Sequence, residues 1–223
     1  MRPKTLDHVA FWVADREPIV DFATSHLGMH VIDRQDAFTL VGSNARRGKL
    51  TLFDAEGPRE QGAIKHVALR VSDLERARAD LPDGGREDLE LGEGVRVRLV
   101  EAPTDVDYDL DHVALYARDP EATAREYLGL GFAEADPNNG HPRVEVGGAY
   151  VEFHPGDPGA PGKPLLNHLA VLVDSAGEHI AEAEERGIVD NVVDAANTRA
   201  VFVWGPDRVR VEYVEHKPGF ALT

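Results

Sequence analysis

LDHVALYARD, residues 110–119, would read as one β-strand running into a turn if the chain held it once. The chain holds four versions of it: LDHVAFWVAD from Leu6, IKHVALRVSD from Ile64, the quoted stretch from Leu110, and LNHLAVLVDS from Leu166. Each has a histidine at its third position and an alanine two residues later. The four histidines, His8, His66, His112 and His168, lie 58, 46 and 56 residues apart. Self-similarity at such a period is the mark of a repeated supersecondary unit.

The surroundings of each copy define the unit. A helix-like stretch follows each strand: PIVDFATSHLG (18–28), DLERARADLP (73–82), PEATAREYLGL (120–130) and GEHIAEAEERG (177–187). Segments with alternating β-branched residues come next, among them KLTLFD (49–54), VRVRLVEA (95–102), AYVEFHP (149–155) and RVRVEYVE (208–215). The unit reads β-α-β-β-β, and the second copy is short enough to have lost a strand. The expected fold is α+β: four βαβββ modules forming two curved mixed sheets.

The first and third copies share a helix ending in Leu27-Gly28 or Leu128-Gly129, whereas the second and fourth carry Ala/Glu/Arg-rich helices without that ending. Duplication of a two-module unit leaves such an alternation. It predicts sequential pairing: a structural N-terminal pair over 1–106 and a C-terminal pair carrying the site over 107–223. Glycine- and proline-rich joins, DAEGPREQGA and HPGDPGAPGKP, separate the modules within each half, and APTDVDYD separates the halves. The other pairing, first with fourth and second with third, would group His8 with His168 and Glu212, and His66 with His112 and Glu152.

Composition narrows the function. The 223 residues include 40 acidic against 24 basic side chains, a formal charge of −16. Such a chain repels nucleic-acid phosphates. No apolar run approaches the ~20 residues of a membrane span, and no leader-like apolar stretch opens the chain, so a soluble cytoplasmic protein is expected. With no cysteine, a metal must be held by histidine and carboxylate.

Strand alternation puts His112 on a face with Leu110, Ala114 and Tyr116, with Asp111 turned the other way. Beside each histidine a small alanine keeps that face open. Recurrence alone does not decide function, because duplication also copies an idle histidine. Partners are more telling. Aligned last strands place Glu212 in RVRVEYV and Glu152 in GAYVEFH at equivalent positions, where the first copy has Thr51 and the second Arg98. Carboxylates therefore accompany histidines only in the third and fourth copies, His112 with Glu152 and His168 with Glu212, which points to a metal site there. Tyr150 and His154 share the Glu152 face and are candidate proton donors. Tyr116 and Phe202 are candidate pocket residues, and His8 is the alternative ligand.

These strand motifs, with the closing GPDRVRVE (Gly205–Glu212), resemble the vicinal oxygen chelate superfamily of glyoxalases, epimerases, bleomycin-binding proteins and extradiol dioxygenases. The resemblance covers essentially the whole chain. It implies paired modules whose concave face holds one divalent metal. Four modules look most like the extradiol dioxygenases, which implies Fe(II) or Mn(II) on two histidines and a glutamate, here His112, His168 and Glu212, and a small aromatic diol as substrate. Those enzymes use a tyrosine ten residues before the glutamate and a histidine nine residues earlier; this chain has Phe202 and Val193 there. A two-histidine, two-glutamate set, with Glu152 as fourth ligand or proton shuttle, would instead resemble the glyoxalase and epimerase branch, with Zn, Ni or Co and lyase or isomerase chemistry. A non-catalytic small-molecule binder of the bleomycin-resistance type is the third reading. The expected partners are a small-molecule substrate and further copies of the chain, with no nucleic acid and no membrane.

Overall fold

The residue after each repeated histidine is apolar, and Val9, Val67, Val113 and Leu169 are all fully buried. Each such side chain contributes on the order of 1.5–3 kcal/mol by leaving water. In the computed structural model, which describes residues 1–222 apart from 83–85 and 87, these positions form the floor of two curved sheets. Module one is β1 (Thr5–Val13), α1 (Glu17–His26), β2 (His30–Arg34), β3 (Phe38–Gly42) and β4 (Lys49–Asp54). Module two is β5 (Ile64–Val71), α2 (Leu74–Ala79), β6 (Asp88–Gly92) and β7 (Val95–Glu101), one strand short among the described residues. Module three is β8 (Asp109–Ala117), α3 (Pro120–Leu128), β9 (Ala133–Asn138), β10 (His141–Val146) and β11 (Ala149–Pro155). Module four is β12 (Leu166–Leu172), α4 (Ala176–Glu185), β13 (Val189–Asp194), β14 (Thr198–Trp204) and β15 (Arg210–His216).

Helix starts follow local chemistry. Asp73, Asp119 and Ser175 each accept from a backbone N–H three residues on, at 2.9, 3.0 and 3.3 Å, and so cap α2, α3 and α4. Proline opens α3, where its missing N–H costs nothing. No helix among the described residues is long and apolar enough to cross a membrane.

The mixed α+β architecture is the expected one, but the modules pair differently from the sequential expectation. One sheet has eight strands in the order β13-β14-β15-β12-β1-β4-β3-β2, which are modules four and one. The other has seven, β6-β7-β5-β8-β11-β10-β9, which are modules two and three. The joins explain this. DAEGPREQGA carries the chain from β4 in the first sheet to β5 in the second, and HPGDPGAPGKP brings it back from β11 to β12. The two crossings run side by side: Glu60 N–H donates to the Lys163 carbonyl at 2.9 Å, and Leu165 N–H donates to that of Glu60 at 2.7 Å. The APTDVDYD join stays within one sheet. The chain thus divides between sheets at its joins within the halves, and the halves 1–106 and 107–223 each contribute to both sheets.

A seam between the sheets rests on one glycine. Arg47 Nη2 and Nε reach Asp109 Oδ2 at 2.6 and 2.9 Å, and Gly48 N–H donates to Asp109 Oδ1 at 3.1 Å. Gly48 has φ +61°, and a Cβ there would stand 2.2 Å from the Tyr108 carbonyl oxygen, a backbone atom. Left-handed strain and the collision add. Gly48→Ala is expected to lower unfolding free energy by about 3 kcal/mol, read as a shifted urea midpoint; an unshifted midpoint would show that the seam can relax.

Candidate metal centre

The two sheets are built on one scheme. In the eight-stranded sheet β1 and β12 run antiparallel with His8 opposite Ala170 and Ala10 opposite His168. In the seven-stranded sheet β5 and β8 repeat it, with His66 opposite Ala114 and Ala68 opposite His112. The last strands lie in parallel register: Glu212 beside Ala170, Thr51 beside Ala10, Glu152 beside Ala114 and Arg98 beside Ala68. Each bowl therefore offers two histidines and two last-strand positions.

Strict alternation fails at one place in each first strand. The register slips by one residue at Asp7, Asn167, Lys65 and Asp111, the residues that precede the four histidines. A bulge re-aims a side chain, and here it brings the preceding residue to its histidine. His8 Nδ1 lies 2.8 Å from Asp7 Oδ1, His112 Nδ1 2.7 Å from Asp111 Oδ1, and His168 Nδ1 2.9 Å from Asn167 Oδ1. The expectation that Asp111 turns away from His112 is corrected by this slip.

In the eight-stranded sheet those contacts fix the chemistry. An oxygen on Nδ1 keeps the proton there and leaves the Nε2 lone pair free, the arrangement that orients metal-ligating imidazoles. The two Nε2 atoms of His8 and His168 are 3.0 Å apart, and Glu212 Oε2 lies 3.0 Å from His168 Nε2 and 3.4 Å from His8 Nε2. Three acceptors converge on one point with no donor between them. Donors about 2.1 Å from a common ion are separated by roughly 3.0 Å at octahedral and 3.4 Å at tetrahedral angles, so the set fits a divalent ion. Burial pulls His168 below the usual histidine value, against the pull of Glu212. Burial would raise Glu212, but His168 and His8 hold it below the usual glutamate value. Neutral imidazole and ionised carboxylate are the forms a metal takes.

Asp7 also ties the centre to its surroundings. Lys49 Nζ donates to Asp7 Oδ1 at 2.7 Å, and His216 Nε2 lies 3.0 Å from Oδ2. Burial would raise this carboxyl, yet Lys49, His216 and His8 keep it well below the usual aspartate value. A cavity of about 440 Å³ opens over the three acceptors, with Trp12, Phe38, Phe53, Phe202, Val193 and Phe220 in its lining. The His168 ring is flanked by Phe202 at 5.2 Å and Phe53 at 6.0 Å between centroids.

Residues 5–107 match the model of the Glyoxalase/Bleomycin resistance protein/Dioxygenase superfamily. The chain carries a domain of this superfamily. Its fold is shared over nearly the whole length by the "putative dioxygenase" of Bacillus subtilis, with TM-score 0.79, 15% identity, and coverage of 99% of this chain and 87% of that one. Glyoxalase I from Zea mays gives TM-score 0.72 at 15% identity, over 95% and 92% of the two chains. The CppA protein of Streptococcus pneumoniae gives 0.60 at 11%, over 96% and 98%. No curated protein sequence matches the chain. At these identities the structural likeness is one of fold.

Within the superfamily fold, the sequence-derived residues divide between two bowls. His168, Glu212 and the alternative ligand His8 come together, and Phe202 lines their cavity. His112, Glu152, His154, Tyr150 and Tyr116 do not join them; all five lie on β8 and β11 in the other sheet. There His66 Nε2 and His112 Nε2 are 3.3 Å apart, but the Glu152 carboxylate is already occupied, by His154 Nε2 at 2.7 Å and Asn138 Nδ2 at 2.8 Å. Burial, then neighbouring His112, Arg98 and Lys65, push His66 down to about 3. In that bowl the last-strand carboxylate is taken by other partners, whereas in the first Glu212 faces both histidines. Glu152 is therefore removed as a fourth ligand of the His168 centre, and Thr51 occupies the corresponding place.

Asp7, Asn167 and His216 are members of this candidate centre that the sequence reading missed. A polar residue precedes all four histidines in strands whose other inward positions are apolar, which was a usable signal for the first two. His216 has no repeated counterpart and offered none.

Proposed function

We propose that the protein is a metal-dependent dioxygenase of the extradiol ring-cleaving type, acting on a small aromatic diol. One observation carries this reading: the converging set is two histidines and one carboxylate, with Thr51 rather than a second carboxylate in the fourth place. Such a set leaves adjacent coordination positions free for two further reactants. Fe(II) or Mn(II) bound there would supply electron transfer between an aromatic diol and dioxygen, both of whose atoms enter the opened ring. The chain itself orients and encloses. Asp7 and Asn167 hold the imidazole tautomers, and Phe53 and Phe202 form a slot for a planar ring beside His168. The two-histidine, two-glutamate alternative, with Zn, Ni or Co, lacks its fourth ligand in this arrangement.

Proton traffic is sparse. Phe202 and Val193 line the cavity at the places where a tyrosine and a histidine are expected, and Tyr150 and His154 are in the other sheet. A positioned acid or base is worth roughly 10²–10⁴-fold, so turnover is expected to be slow. Anaerobically Fe(II)-loaded protein should consume one dioxygen per catechol cleaved, followed with an oxygen electrode and the absorbance of the ring-opened product. Absence of uptake with a catechol series, together with isomerisation of a glutathione hemithioacetal, would replace this reading by the glyoxalase one.

A further inference from the structure

Charge enters the cavity over the metal centre only in committed form. Its lining holds three carboxylates, Asp7, Asp33 and Glu212, against two permanent cations, Lys49 and Arg210. Lys49 is 2% exposed and held on Asp7 at 2.7 Å. Arg210 Nη2 lies 2.5 Å from Asp190 Oδ2, and its guanidinium covers the Phe202 ring at 4.2 Å. Arg210 Nε–H is covered by protein and reaches no partner. His216 gives Nε2 to Asp7, and its Nδ1 is likewise covered. Arg46 and Arg59 stand outside the lining, over the Phe220 and Trp12 rings at 5.5 and 5.4 Å.

With the diol oxygens offsetting the charge of the ion they bind, a further carboxylate would lose its water, face three carboxylates against two cations, and find both cations already paired. A neutral ring would meet Trp12, Phe38, Phe53 and Phe202. We propose that this cavity selects uncharged aromatic diols and rejects those that carry a carboxylate, an inference that rests on the diol reading above. It also speaks against a substrate as anionic as a glutathione adduct. The selectivity lies in Arg210 and Lys49, both of which are present but already neutralised by Asp190 and Asp7.

The test is binding rather than turnover. Mn(II)-loaded protein is titrated anaerobically, by calorimetry, with 3,4-dihydroxyphenylacetate and with its methyl ester, which share ring and hydroxyls and differ in one charge. The ester is expected to bind about 100-fold more tightly, because desolvating an unpaired carboxylate outweighs its distant attractions. Asp190→Asn frees Arg210 at the rim and should raise affinity for the acid roughly 10-fold while leaving the ester unchanged. An acid that binds as tightly as the ester would overturn the inference and leave the diol reading standing. Failure of both compounds to bind would overturn the diol reading and the inference with it. An acid affinity unmoved by Asp190→Asn would overturn the role given to the committed Arg210.

Discussion

His168→Ala is expected to strip the protein of its divalent metal, whereas His112→Ala is not. The two histidines are copies of one another in sequence, so only their surroundings distinguish them. His168 Nε2 faces two other acceptors at 3.0 Å, and Asn167 keeps its proton on Nδ1. His112 Nε2 faces His66 at 3.3 Å, in a bowl whose carboxylate is bound by His154 and Asn138. Loss of an outer partner of a metal ligand already costs roughly 10–100-fold in affinity, so loss of a ligand itself should exceed that. Elemental analysis after gel filtration without chelator should give about one metal per chain for wild type and His112→Ala, and less than about a tenth of that for His168→Ala and His8→Ala. Circular dichroism melts separate metal loss from unfolding. Equal metal loss in His112→Ala and His168→Ala would overturn the assignment of the metal to the bowl of the eight-stranded sheet.

The second large effect is on stability. Asp7→Ala leaves the Lys49 ammonium, 2% exposed, without its counter-charge. Breaking one partner of a buried pair costs about 3–5 kcal/mol, which for a chain of this size lowers the melting temperature by roughly 10 °C. Lys49→Met in the same background removes the stranded charge and should recover most of the loss. Failure to recover would place the cost in the broken His8 and His216 contacts instead. The linkage has a definite sign. The Asp7 carboxyl is held below its ordinary value in the folded protein, so its contribution is present above about pH 4 and fades only as pH falls through the folded value.

Much of the architecture was legible in the chain. The fourfold His-x-Ala pattern, the short second module and the equivalence of Glu212, Glu152, Thr51 and Arg98 are all present in the structure at matching registers. The partnership of modules was not. Sequential and crossed pairing both join an odd module to an even one, so the odd-even likeness records ancestry and is silent on contact. Alternation marks which face of a strand is buried and says nothing of which strand lies beside it. The Pro/Gly-rich joins looked like spacers, while their backbones in fact bond to each other through Glu60, Lys163 and Leu165. Period-two reasoning also hid Asp7 and Asn167, because a bulge shifts the count by one at the very residue that matters. The polar residue before each histidine, facing an apolar interior if alternation held, was the discordant note.

The crossing of the chain between sheets sets an order of assembly. Residues 64–155 supply every strand of the seven-stranded sheet, so that sheet can close while the C-terminal module is still being synthesised. Module one must wait, because β1 has β12 as its neighbour and β12 begins at Leu166. The bonds between them span some 160 residues of chain, and long-range pairings of this kind are slow to form. Until then β1 is a half-satisfied edge with its histidine exposed, a surface that a ribosome-bound chain must keep from foreign strands. The acceptor cluster consequently forms only after module four has been made, and a chain that can hold metal there has, by that fact, brought its first and fourth modules together.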